Sequence, residues 1–510
     1  MKIEIGLEPL RIEDVVLVAK NRVPLTLSTA PAFRQKIEAS HRYLSSLLER
    51  GQEVYGVTTG YGDSCTTVVD RELIEELPRN LVRYHNCGLG DFFNESEARA
   101  IQVSRIASLT QGVSGVRMEL LEFLVDQLNR GISPRIPKEG SVGASGDLTP
   151  LSYLAATLLG EGEVMYRGEV RPTMDLYREL GIEPIGLKPK EGLAIMNGTA
   201  VMTALACLAF RRAEHVCEIA TKVTAANVLA ILGNPRHFDE LLFSAKPHPG
   251  QSAVATWLRG EFTESFVTMK AGRLQDRYSL RCAPHVVGVA VDALRAFRSF
   301  IEIELNSAND NPLIDGENGK IVHGGNFYGG HIAFVMDSLK VQVANVADLL
   351  DRQLALLVDP KFNNGLPANL SGSRRGRSVH HGYKAVQIAA SAWTAEALKQ
   401  SLPASIFSRS TECHNQDKVS MGTIAARDCI RSLELTEQVV AASAMAAAQA
   451  IELRLASGEL TREQVGDSLL GFQSQVFALS PFLENDRPLD RDLRKVVEAL
   501  RERQVRGYDA

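Results

Sequence analysis

Apolar residues in the second half of the chain recur at alternating steps of four and three. Val335, Leu339, Val343, Val346, Leu350, Leu354 and Leu357 line one face of a single long helix, which Asp359-Pro360 ends. Val201 to Leu232 is similarly rich in Ala and Leu, and Gly233-Asn234-Pro235 stops it. Val439 to Leu455 contains Ala-Met-Ala-Ala-Ala, a strong helix former whose small side chains let backbones approach in the middle of a bundle. No regular alternation of strands and helices occurs, so a nucleotide-binding sheet is disfavoured. The pattern predicts a mostly α protein. A long-helix bundle core and C-terminal helical region span residues 201–510, and residues 1–200 form a mixed, loop-rich head domain. Asp359 to Gly382 is a Gly/Asn/Ser/Arg-rich connection of a length usually kept for function or motion.

Composition changes this picture little. The chain has 510 residues, 45% hydrophobic and 23% charged, with a formal net charge of -5, enough for large cores. A mildly acidic balance argues against nucleic acid or an anionic membrane as partner, and the basic run Arg374-Arg375-Gly376-Arg377 reads as a solvated loop. No apolar stretch is expected to span a bilayer, and Met1-Lys2-Ile3-Glu4-Ile5 lacks a signal-peptide core. Seven cysteines without a CxxC pair suggest neither a disulfide framework nor zinc. A cytoplasmic location follows as the default. His380-His381 diverge and have no placed carboxylate, so no metal is expected. Gly60-Tyr61-Gly62 lacks the preceding strand of a phosphate loop.

The chemistry concentrates in Gly143-Ala144-Ser145-Gly146-Asp147-Leu148. Unmodified side chains supply acids, bases and nucleophiles, but no strong electron sink. If a tight turn presses the Gly146 nitrogen onto the Ala144 carbonyl carbon, a five-membered ring closes. Loss of two waters, one carrying the Ser145 hydroxyl, then leaves an exocyclic methylidene. Glycine tolerates the strained backbone, alanine leaves its carbonyl uncrowded, and serine provides the leaving group.

The longer run Gly140 to Ser152 resembles the signature of the aromatic amino acid ammonia-lyase family, which includes histidine, phenylalanine and tyrosine ammonia-lyases and related aminomutases. Further motifs follow in family order: Tyr55 to Gly62 (YGVTTGYG), Asn197-Gly198-Thr199, Tyr278-Ser279-Leu280-Arg281, Asn309-Asp310-Asn311-Pro312 and His414-Asn415-Gln416-Asp417. The resemblance implies a 4-methylidene-imidazol-5-one formed autocatalytically from Ala144, Ser145 and Gly146, with no external cofactor. It implies a homotetramer with shared active sites. Tyr55 matches the catalytic tyrosine that removes the β-proton. A phenol titrates at about 10 when unperturbed, so the surroundings of Tyr55 are expected to favour phenolate. Tyr278 matches a second active-site tyrosine. Arg281 is the clamp for the substrate carboxylate, since a guanidinium fork fits that group. Asn197, Gln275 and Asn311 form the polar shell, and Phe327 lies close to the ring.

Specificity rests on fewer residues. Tyr84 and His85 align with the family's selectivity pair, and their Tyr-His combination departs from the pairs that its phenylalanine, tyrosine and histidine lyases carry. His85 could bond a phenolic hydroxyl, and such a site discriminates strongly against analogues lacking it. Lys384, in Gly382-Tyr383-Lys384, and Glu412 to Asp417, with Gln416 where histidine lyases have glutamate, resemble the phenylalanine/tyrosine versions. These features favour L-tyrosine, giving trans-4-hydroxycinnamate. Histidine ammonia-lyase and tyrosine 2,3-aminomutase are the alternatives, and an inactive helical scaffold is the reading outside catalysis.

Overall fold

A computed structural model describes residues 2–373 and 378–508; the basic run at 374–377 lies outside the described residues. The fold is mostly helical. The longest helices are Ala200–Ala230, Ala283–Leu305, Gly330–Val358 and Gly422–Ser457. All seven residues of the stripe beginning at Val335 are at most 1% exposed, and that helix stops one residue before Asp359-Pro360. Helix Ala200–Ala230 ends ahead of Gly233-Asn234-Pro235. The Ala-rich segment belongs to the 36-residue helix Gly422–Ser457. That helix corrects one expectation, because by length and composition it could cross a membrane. Its most apolar window is 78% buried within the protein, as in an alanine-rich core helix.

The chain divides into two compact units. The first comprises Met1–Phe210, Phe297–Asp337 and Pro403–Asp428, and the second Arg211–Ala296, Ser338–Leu402 and Cys429–Ala510. Four of the boundaries fall inside the four longest helices. The first unit is therefore discontinuous, whereas the sequence pattern placed one cut near residue 200.

The first unit holds every described strand. Ile3–Ile5 pairs parallel with Leu25–Leu27, and Leu89–Phe92 pairs antiparallel with Pro137–Glu139. Ser133–Pro134, Glu163–Tyr166 and Glu169–Pro172 make a three-stranded sheet, and Leu313–Asp315 forms a hairpin with Lys320–Val322. Val54 and Val57 pack with Leu44, Leu47 and Ile314 in one buried cluster. Burying a valine contributes about 1.5–3 kcal/mol, so this pair anchors the loop that carries Tyr55. In the second unit, Glu437 is 3% exposed and accepts from Arg212 and Arg501. The two guanidinium groups outweigh burial and hold its carboxyl below the usual range.

Candidate active site

The Ala-Ser-Gly triplet sits in a tight turn with two consecutive left-handed residues. Ser145 has φ 47° and Gly146 φ 78°, both in the left-handed region. A Cβ on Gly146 would collide with the Gly198 carbonyl. Immediately downstream, the Asp147 N–H donates to Gly198 O at 2.7 Å. The Asp147 carboxylate accepts from the N–H groups of Val201 (2.8 Å) and Met202 (3.1 Å), and from the Thr423 hydroxyl. It thereby caps the N-terminus of helix Ala200–Ala230, where the helix dipole favours negative charge. Burial pushes this carboxyl up to about 6 against those bonds.

Two donors converge on the Ser145 carbonyl oxygen. Asn197 Nδ2 donates at 2.7 Å and the Gly198 N–H at 3.1 Å. Donors so placed stabilise negative charge developing on that oxygen. Asn197 is 2% exposed, and its Oδ1 is buried with no partner among the described residues. Gln416 Nε2 donates to Ser145 Oγ at 3.1 Å, and Gln416 Oε1 accepts from Thr411 Oγ1 at 3.0 Å.

Two adjoining cavities in the first unit share Tyr55, Gly62, Ser145, Leu193 and Gln416 as walls. One, of about 370 Å³, adds Ala144, Asn197, Asn311, Phe327 and His323. The other, of about 410 Å³, adds Tyr61, Tyr84, His85 and Glu412. Ten of the residues expected from sequence thus meet around one space, with Gly146 directly behind Ser145.

Tyr55 lies on a loop folded back on itself. Its phenolic oxygen accepts from the Gly62 N–H at 2.8 Å. Glu412 reaches the same loop, both its carboxylate oxygens lying 3.0 Å from the Asp63 nitrogen. Burial raises the Tyr55 pKa, the Gly62 hydrogen bond lowers it, and the Glu412 charge raises it, leaving a net rise. The expected bias toward phenolate is therefore not supplied by these neighbours, because one backbone donor does not offset lost solvation and a nearby carboxylate. His85 Nδ1 lies 3.0 Å from Leu81 O. A carbonyl only accepts, so Nδ1 carries the proton and Nε2 keeps a lone pair. Burial lowers the His85 pKa and favours this neutral ring. The Tyr84 and His85 rings are tilted against each other at 4.5 Å.

Four expected residues lie elsewhere. Gln275, Tyr278, Arg281 and Lys384 belong to the second unit and line neither cavity. Gln275 and Lys384 are exposed and Tyr278 is 73% exposed. The Arg281 guanidinium stacks 4.6 Å above the Tyr278 ring and donates through Nε to Asp276 O. The sequence reading missed the backbone donors Gly62 and Gly198, which carry no side-chain signal. It also gave no role to Tyr61, although that residue lies within the Tyr55 to Gly62 motif, and did not name His323.

A family model described as "Aromatic amino acid lyase" matches residues 10–468. The histidine ammonia-lyase of Gloeobacter violaceus is 40% identical over 494 residues, covering 96% of this chain and 94% of that protein. Among solved structures, a tyrosine aminomutase from Streptomyces globisporus superposes with a TM-score of 0.91 at 36% identity, covering 99% of this chain and 98% of that one. A histidine ammonia-lyase from Trypanosoma cruzi gives 0.89 at 30% identity, covering 99% and 94%.

Proposed function

The chain belongs to the aromatic amino acid lyase family, and from that premise we propose that it eliminates ammonia from L-tyrosine to give trans-4-hydroxycinnamate. The observation that carries the substrate is His85. Its neutral ring keeps an Nε2 lone pair, His85 lines the cavity next to Tyr55 and Ser145, and a phenolic O–H needs such an acceptor. Gln416 supports the same reading, because an amide beside Ser145 suits a neutral aromatic ring.

The residues around the triplet fit a methylidene-imidazolone built from Ala144, Ser145 and Gly146. Gly146 has no room for a side chain, and the Ser145 carbonyl has two donors in place. That group would supply the electrophile that loosens the substrate's amine. Tyr55 takes the β-proton, and the ammonium of a bound substrate is the cation able to draw its pKa down. Asn197 and the Gly198 N–H steady the Ser145 carbonyl, while Phe327 and Asn311 wall the cavity. We assign Gln275, Tyr278, Arg281 and Lys384 to the sites of other copies in a homotetramer, with Arg281 clamping the substrate carboxylate.

Glu412 favours a second reading. Its carboxylate lines the cavity that holds His85 and would suit the imidazole of L-histidine, the substrate named for relatives such as that of Gloeobacter violaceus. Likeness to a tyrosine aminomutase keeps a third product in view, the β-amino acid. Incubation with tyrosine, phenylalanine and histidine, followed by ultraviolet absorbance and chiral amino-acid analysis, separates all three. Formation of 4-hydroxycinnamate with the highest specificity constant is expected. Urocanate as the preferred product would overturn the tyrosine assignment.

A further inference from the structure

Behind the triplet lies a charged network that is buried at Arg105, Asn309 and Thr199 and reaches a partly exposed Glu304. Arg105, on helix Glu95–Leu109, has no exposed surface. One Nη1 donates to Asn197 O at 2.9 Å and contacts Asn309 Oδ1 at 3.3 Å; Nη2 donates to Ser108 Oγ at 2.9 Å. Asn309 Nδ2 continues to Thr199 Oγ1 at 2.9 Å, and that hydroxyl donates to Glu304 at 2.6 Å. Nearby, Lys190 and Asp310 form an ion pair at 2.6 Å with both side chains fully buried. A Cβ on Gly198 would collide with Arg105 Nη1 and Asn309 Oδ1, so glycine there is what allows the guanidinium to approach.

One peptide group connects this network to the reacting atoms. The Asn197–Gly198 peptide accepts from Arg105 through its carbonyl, and through its N–H it donates to Ser145 O. A cation on the carbonyl side polarises the peptide and strengthens its N–H as a donor. The Coulomb energy is large where water is excluded. Burial lowers the Arg105 pKa to about 10, with Asp310 and Asp147 opposing the fall, so the group stays charged at neutral pH.

We propose that Arg105 is a positioning residue that acts through the Asn197–Gly198 peptide to promote dehydration of Ser145. The inference rests on the functional reading above, because it concerns how the triplet becomes modified. In this step the Cα proton of Ser145 leaves and its C–H electron pair becomes the Cα=Cβ bond. The Cβ–Oγ bond breaks with its electrons on oxygen, and proton and hydroxide depart as one water. Negative charge rises on the Ser145 carbonyl oxygen as the proton leaves, and that oxygen is where the Gly198 N–H points. Closure of the ring loses the other water and places charge on the Ala144 oxygen, which this relay does not touch.

The two waters therefore give separate readouts. Freshly synthesised full-length wild type, Arg105→Gln and Arg105→Lys would be followed by intact mass over time, with thermal unfolding measured alongside. The wild type should lose both waters. Arg105→Gln should accumulate a species short of one water and lose the second roughly tenfold to hundredfold more slowly, the range expected for a lost charge-assisted hydrogen bond. A purely structural role would lower the unfolding temperature and delay both losses together, without the intermediate mass. If Arg105→Gln does not accumulate folded, Arg105→Lys decides. It keeps a buried cation but not the fork, and a severalfold lag in the second loss alone is expected. Loss of both waters at the wild-type rate, or equal delay of both, overturns the role of Arg105. Absence of water loss in the wild type would instead overturn the functional reading.

Discussion

The cradle of the triplet and the rim that faces it are built on opposite principles. In the cradle, Asp147, Asn197, Gly198 and Arg105 are buried, and the backbone of Ser145 is fixed by two donors and a capped helix. At the rim, Glu412 is exposed, Tyr84 is 57% exposed, and Tyr55 is held through one hydrogen bond from its own loop. A group that must be strained into reacting needs surroundings that leave it no alternative. A group that must meet and release a substrate needs a loop able to move. Changes in the cradle should therefore act on whether the chemistry exists, and changes at the rim on its rate and its choice of substrate.

The sharpest break is Ser145→Ala. Without the hydroxyl no methylidene can form, while an alanine side chain adds nothing to the turn. Activity should fall by at least about a thousandfold, some 4 kcal/mol in barrier, with folding retained. Intact mass should show that the water carrying the Ser145 hydroxyl is never lost. Turnover close to wild type in this variant would sink the proposed mechanism.

At the rim the largest effect belongs to Tyr55→Phe. General acid–base catalysis commonly contributes about a hundredfold to ten-thousandfold, and a loss within that range in the catalytic rate is expected. Substrate affinity should stay within roughly tenfold, since the lost interaction belongs to the transition state. The mass of the mature chain should remain short of two waters, because Tyr55 is no part of the cradle. Exchange of the substrate's β-proton with solvent at the wild-type rate would identify another base.

The two regions also differed in how far they could be read from sequence. The bundle helices were legible because a 3.6-residue period survives in Val335 to Leu357 and because Pro and Gly mark the ends. Where those helices deliver the chain was not legible. A 29-residue helix carries it roughly 40 Å, and periodicity says nothing about what waits there. Hence Asn311, Phe327 and Gln416, from two distant segments, rejoin the first unit, which a single cut near residue 200 does not anticipate. Ser145, Tyr55 and Asn197 were legible through motifs. The contact between Glu412 and Asp63 spans 349 residues, and the donors Gly62 and Gly198 act through backbone N–H groups, which residue type alone does not reveal as donors. Arg105 looked like one arginine among many until its partners were seen.

His85→Phe should act on the choice of substrate rather than on rate. If Nε2 accepts the phenolic proton, the ratio of specificity constants for tyrosine over phenylalanine should fall about tenfold to hundredfold, the worth of one buried hydrogen bond of about 1–3 kcal/mol. Mass and maturation should be unaffected. An equal loss on both substrates would mean that His85 only packs against Tyr84 and Leu81, and would reopen the histidine reading.

The smallest effect expected is that of Glu412→Gln, and it tests whether the rim tunes acidity. Tyr55 acts as a base only when deprotonated, and its pKa is raised in the fold. Activity should therefore climb on the alkaline side as the phenolate fraction grows. Glu412 contributes to that rise through its charge, while its oxygens hold the Asp63 N–H beside the donor Gly62. A glutamine keeps an acceptor for Asp63 and removes the charge. The alkaline limb of kcat/KM should then move to lower pH, and the rate near neutrality should rise by a few-fold at most, because an exposed carboxylate is well screened by water. High salt should shrink the difference between the two proteins for the same reason. A limb that moves upward would show that anchoring the loop outweighs the charge, and an unmoved limb would remove Glu412 from the control of Tyr55.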